Sequence, residues 1–148
     1  MTEGNPPMTN VPELAATILR DSRTVAVLGM KGDDDPGAPA NHVPIYLASQ
    51  GYKIIPVNPE LAADGYPGAV SSLSDLLDPP DVVEVFRRPD AIAEHAEELL
   101  ELKPRYVWFQ LGIRNDEVAK RLEDAGIRVI QDRCMYRDHT ALREAGEI

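Results

Sequence analysis

A chain of 148 residues, 43% hydrophobic and 27% charged, has the composition of an ordinary globular protein. As one domain it is long enough to bury roughly 68–70% of its unfolded surface. Its 25 acidic against 15 basic residues give a formal net charge of -10, which argues against a general nucleic-acid or anionic-membrane surface. A single cysteine, Cys134, excludes an intrachain disulfide and fits a reducing cytoplasm. No apolar run approaches the length of about 20 residues that spans a bilayer.

Residues 1–9, acidic and rich in proline, read as a flexible tail unlike a signal peptide, with the domain occupying 10–148. Asn10 is a good N-cap, Pro12 suits a first turn and Glu13 stands at capping-box spacing. Val11, Leu14, Ala15 and Ile18 then make one apolar helical face, which ends over Arg20–Arg23. Thr24–Leu28 is a β-branched and aliphatic strand that stops at Gly29. After a glycine-containing loop, Asn41 is the expected cap of a helix reaching Gln50, with Pro44 tolerated in its first turn and Gly51 closing it.

Lys53–Val57 is the second strand. Its Pro56 requires that the missing N–H point away from a neighbouring strand or lie at the strand's end. Residues 60–70 read as loop and Ser72–Leu77 as a short helix halted by Pro79 and Pro80. Val82–Phe86 is the third strand, followed by a longer helix from Pro89 to about Leu102. Arg105–Phe109, a helix over Asn115–Ala125 closed by Gly126, and the strand Arg128–Gln131 complete the pattern. Strands alternating with helices predict an α/β fold of one domain. Its form is a Rossmann-like, doubly wound parallel sheet in three α/β/α layers, joined by right-handed crossovers. The loops at the strand C-termini are then the expected ligand site.

Gly29 and Gly32 supply only part of a dinucleotide fingerprint, and Val57-Asn58-Pro59 replaces the acid that an NAD site places after its second strand. Glu60 comes slightly late for that role. Lys31 is a candidate phosphate partner, with the N–H groups around Asn41–Val43 supplying a helix-end field; a solvated lysine is the alternative. Asp33, Asp34 and Asp35 oppose phosphate binding unless they point outward or hold a cation, and a solvated turn is the favoured reading. Trp108, Phe109 and Phe86 read as core. His42 is a candidate phosphate contact and His95 a helix-surface residue, while no spacing among the histidines suggests a metal. Cys134, beside Arg133, is a candidate for thiol–disulfide exchange, against the alternative of a buried structural cysteine.

Five segments in order carry a resemblance. They are Val27–Gly29, Gly51–Pro59, Val82–Pro89, Trp108–Asn115 and Asp132–Cys134. Across about residues 10–140 the chain resembles the small bacterial and archaeal CoA-binding proteins, stand-alone versions of the CoA-binding domain in the α-subunit of succinyl-CoA synthetase. The resemblance implies binding of coenzyme A or an acyl-CoA at the strand ends. It places the pyrophosphate near Gly29, Met30 and Lys31 and the helix beginning with Asn41 and His42. Val57, Asn58 and Pro59 fall near the adenosine end, and Phe86, Arg87, Arg88, Gln110, Leu111 and Gly112 along the pantetheine arm. Ala38-Pro39-Ala40-Asn41 departs from the Arg-Pro-Ser often found in the family before this helix.

CoA also carries a 3′-phosphate, for which Lys31, Lys53, Arg87 and Arg88 are candidates, Arg being suited to bidentate contact. For Arg87 and Arg88 the alternative is an ion pair with Asp90 or Glu84. No nucleophile flanked by a base and no metal quartet can be assembled, so the expectation is a non-catalytic carrier, sensor or accessory module. An NAD(P)-type protein and a non-catalytic subunit of an acyl-CoA-handling complex are the alternatives.

Overall fold

The computed structural model describes residues 10–148; the segment read as a tail lies outside the described residues. Five strands form one all-parallel sheet: β1 (Thr24–Leu28), β2 (Lys53–Val57), β3 (Val82–Val85), β4 (Tyr106–Gln110) and β5 (Arg128–Arg133), in spatial order β2-β1-β3-β4-β5. Among the described residues six α-helices accompany them: α1 (Val11–Asp21), α2 (Pro39–Ser49), α3 (Pro59–Ala63), α4 (Ala96–Leu102), α5 (Asp116–Asp124) and α6 (Met135–Glu144). The expected Rossmann-like architecture is present.

The strands read as nearly continuous apolar runs because both sheet faces are covered. Ala26, Val83, Val107 and Phe109 point to one face, where Leu99 of α4 and Val118 and Leu122 of α5 pack on them. Val25, Val27, Trp108 and Ile130 point to the other, against Ile18 of α1, Leu47 of α2 and Met135 of α6. Trp108 and Phe109 are core, as expected, both with no exposed surface. Asn10 caps α1 by accepting the Glu13 N–H, and Asn115 caps α5 by accepting that of Val118.

Pro56 sits opposite Val27 on an edge strand, and its carbonyl accepts the Val70 N–H at 2.9 Å on the side away from β1. Its missing N–H therefore removes nothing from the ladder.

Several boundaries differ from expectation. The loop after β2 contains α3, started by Asn58, whose side chain accepts from the N–H groups of Glu60 and Leu61. The helix expected over 72–77 is one 3₁₀ turn, Leu73–Asp75. The helix expected from Pro89 is 3₁₀ as far as His95 and α-helical only from Ala96. Helix α6, with its buried Met135 and His139, was not expected at all.

Candidate functional site

In the order β2-β1-β3-β4-β5 the chain changes winding direction between β1 and β3. Ligands of open α/β sheets bind at that switch point, beyond the strand C-termini. Two clefts open there. The larger, about 650 Å³, includes Lys31, His42, Phe86, Arg88, Leu111 and Tyr136 in its lining. The smaller, about 480 Å³, lies toward β2 and includes Val57, Asn58, Pro59, Glu94, His95 and Glu98. Gly29 and Arg87 border both.

Gly29 is required by the sheet itself. Its φ is +85°, and a Cβ there would lie 2.5 Å from the Phe86 carbonyl oxygen. The end of β3 is held this close because the Phe86 N–H donates to Leu28 and the Gly29 N–H donates to Val57, each at 2.9 Å. The glycine thus sets a shallow floor between the clefts, whatever ligand lies on it.

The loop after Gly29 differs from expectation. Helix α2 begins at Pro39, with Ala38 as its cap residue, and the N–H groups of Asn41 and His42 already donate to the Ala38 carbonyl. Asn41 is therefore not a cap and offers no free N–H to a phosphate. It is buried, and its side-chain amide donates to the Lys31 carbonyl at 3.0 Å and to Asp33 Oδ1 at 2.9 Å. Asp33 also accepts the Tyr66 hydroxyl, and these two bonds, Asn41 first, hold its carboxyl below the usual range. Lys31 is exposed in the cleft and makes a loose 3.8 Å pair with Asp35. The Met30 side chain is buried in the core and lines neither cleft; its carbonyl accepts from Asn58 Nδ2 at 2.8 Å. Lys53 opens β2, at the end of the sheet away from the clefts, so it is no phosphate contact.

Of the two arginines after β3, Arg88 is exposed, pairs with Asp90 at 3.6 Å and reaches the larger cleft. Arg87 is half-buried at the junction of the clefts, with its Nε shielded and without a partner. Glu84 pairs with neither arginine. It is fully buried on β3 between Val27 and Trp108, both carboxylate oxygens lack partners, and burial pushes its carboxyl up to about 8. Phe86, expected in the core, is half-buried and lines the larger cleft.

His95, expected on a helix surface, lines the smaller cleft. Its Nδ1 lies 2.9 Å from Glu98 Oε2, while His95 Nε2 and Glu98 Oε1 are buried without partners. With Arg87 Nε, three unpartnered polar groups belong to residues of this one cleft, and such groups call for a water or ligand. The late acid Glu60 also reaches its rim.

Gln110 and Leu111 form the far wall of the larger cleft. Gln110 Oε1 also accepts the Met135 N–H at 3.4 Å. Gly112, with φ +84°, donates its N–H to Asp132 Oδ1 at 2.6 Å, so that amide is already engaged. Cys134, Tyr136 and Arg137 complete this wall. Arg133 is turned to a bidentate pair with Asp138 at 2.7 and 2.9 Å, away from the role of cationic neighbour to Cys134. Behind the wall, Tyr136 packs on His42 and Tyr46, and the Tyr46 hydroxyl lies 2.8 Å from Nδ1 of the buried His139. Tyr136 and Arg137 were missed because α6 was missed; the helical spacing of Met135, His139 and Leu142, all turned inward, was the available signal.

Among the described residues no three His, Cys, Asp or Glu side chains are grouped to hold a metal, and no helix is long and apolar enough to cross a membrane.

Comparisons with known proteins agree with this fold. A protein solved from Thermus thermophilus as cell-free ID.343 is 45% identical, with a TM-score of 0.82 over 90% of this chain and 99% of that one. A hypothetical protein from Pyrococcus horikoshii OT3 is 31% identical, with a TM-score of 0.80 over 97% of this chain and 99% of its own. YneT of Bacillus subtilis (strain 168), an uncharacterized protein, is 36% identical over 85% of this chain and 92% of its length. The sequence pattern of the CoA binding domain matches residues 23–140. This chain belongs to the CoA-binding domain family.

Proposed function

We propose that this protein binds coenzyme A or an acyl-CoA across the two clefts, as a non-catalytic carrier, sensor or accessory module. The observation that carries the reading is the junction: two clefts of unequal character meet over Gly29 beside the unpartnered Arg87 Nε. That arrangement fits a ligand with two large ends and an anionic link, with the guanidinium beside the pyrophosphate. The smaller cleft, with its polar groups, suits a base and ribose. The larger has Phe86, Leu111, Ile113 and Tyr136 for the pantetheine arm and any acyl group, and ends near Cys134. Glu60, Glu94 and Glu98 repel a phosphate from the smaller cleft, so the 3′-phosphate belongs toward solvent or toward Lys31 and Arg88.

A thermal-shift panel of CoA, acetyl-CoA, dephospho-CoA, NAD, NADP and ATP tests the reading. A ligand at 100-fold over its Kd contributes about 2.7 kcal/mol. For a domain of this size that raises Tm by roughly 5–11 °C. Shifts with the CoA species are expected. A shift with NAD alone would establish the dinucleotide alternative, in which Glu60 or Glu98 serves the ribose.

A further inference from the structure

We propose that Asp132, which does not itself line the larger cleft, positions the wall that receives the thiol-bearing arm; this rests on the CoA reading above. The inference begins with the sheet register. Trp108 faces Ile130 but Gln110 faces Arg133, so β5 carries one residue more than β4 at the point where both strands reach the site. Asp132 absorbs the extra residue with φ +57°, a left-handed conformation that Asp, Asn and Gly tolerate best.

From that position both ends of the residue hold one turn. Its Oδ1 accepts the Gly112 N–H at 2.6 Å, and its own N–H donates to the Ile113 carbonyl at 3.2 Å. The turn between them presents Leu111 and Ile113 to the cleft. Beyond the bulge, Trp108 Nε1 donates to the Arg133 carbonyl at 2.8 Å, and Cys134 and Tyr136 enter the same cleft. One bulge therefore fixes the spacing between a wall from β4 and a wall from α6. A carboxylate on a backbone amide is a strong, directional restraint, and holding the turn in place before the ligand arrives lowers the ordering cost of binding.

The test uses calorimetric titration with CoA and with adenosine 3′,5′-bisphosphate, which lacks the arm. Asp132→Gly retains the left-handed conformation and removes only the clamp, and urea titration verifies that it folds. It is expected to bind CoA roughly tenfold more weakly, the loss of one charge-assisted hydrogen bond. Its affinity for the bisphosphate should be unchanged. Asp132→Asn, which keeps both the conformation and an acceptor, should restore CoA binding. Unchanged CoA affinity in Asp132→Gly, or equal weakening of both ligands, overturns the assignment while leaving the CoA reading intact. A wild-type protein that binds no CoA overturns that reading, and the assignment with it.

Discussion

Asn41 and Asp33 meet at 2.9 Å, and the same amide nitrogen reaches the Lys31 carbonyl at 3.0 Å, so one side chain of α2 ties down the start of the acidic loop. The three consecutive aspartates thus have separate fates: Asp33 is bonded, Asp35 lies near Lys31, and Asp34 remains exposed. Asn41→Ala should lower the urea midpoint, losing about 1 kcal/mol for the Lys31 carbonyl bond alone. It should also speed amide exchange across residues 31–38. Unaltered exchange in that segment would mean that the turn is held by other contacts.

Glu84 makes stability fall with rising pH. Its carboxyl titrates near 8 in the folded protein against 4.5 for a free side chain, because burial disfavours the charge. Between those values the unfolded chain releases a proton that the folded chain keeps. This group therefore removes about 1.4 kcal/mol of stability per pH unit across the window. Glu84→Gln should abolish that slope, measured as urea stability at intervals from pH 5 to 8. A slope identical to that of the wild type would show that the carboxyl finds a partner in solution.

His139 acts in the opposite sense. Burial first, then the nearby Arg143, lowers its pKa below 6.5, so the folded state resists protonation. Stability from this group is complete above 6.5 and declines as pH falls through that value toward the lower folded one. His139→Gln should flatten the acid limb of the stability profile. Tyr46→Phe, which removes the hydroxyl 2.8 Å from the ring, should destabilise by about 1 kcal/mol at neutral pH.

Arg87 at the junction should matter to every ligand that crosses it. Arg87→Ala is expected to weaken CoA and dephospho-CoA alike, by roughly tenfold or more for a charged hydrogen bond. Arg88→Ala, an exposed residue paired with Asp90, should weaken CoA more than dephospho-CoA if it meets the 3′-phosphate. Competition titration of the four combinations separates these roles; a selective loss of CoA over dephospho-CoA in Arg87→Ala would remove the pyrophosphate assignment.

The strands were legible because each is an apolar run bounded by Gly, Asn or Pro, and the order of strands and helices left little choice of architecture. The ends of those strands carry Val57, Arg87 and Gln110 into the lining of the two clefts. Positions set by tertiary geometry were not legible. Asn41 had the chemistry of a cap, but Pro39, with its preset φ, started the helix three residues earlier. His95 looks like a helix-surface residue in sequence, but the stretch over Pro89–His95 is 3₁₀ rather than α-helical, and His95 lines the smaller cleft beside Glu98. Asp132 could not be recognised as a bulge residue before β4 and β5 were paired.

The contact between Gly29 and Phe86 also limits how this protein can change. At 2.5 Å from a backbone oxygen, even a methyl group would prise β1 from β3, so the floor between the clefts is closed to adjustment by substitution. Any change in the shape of the clefts has to come from the sides. Leu111, Ile113 and Tyr136 can be exchanged around one end, and Glu94, His95 and Glu98 around the other, without disturbing the seam on which both ends depend.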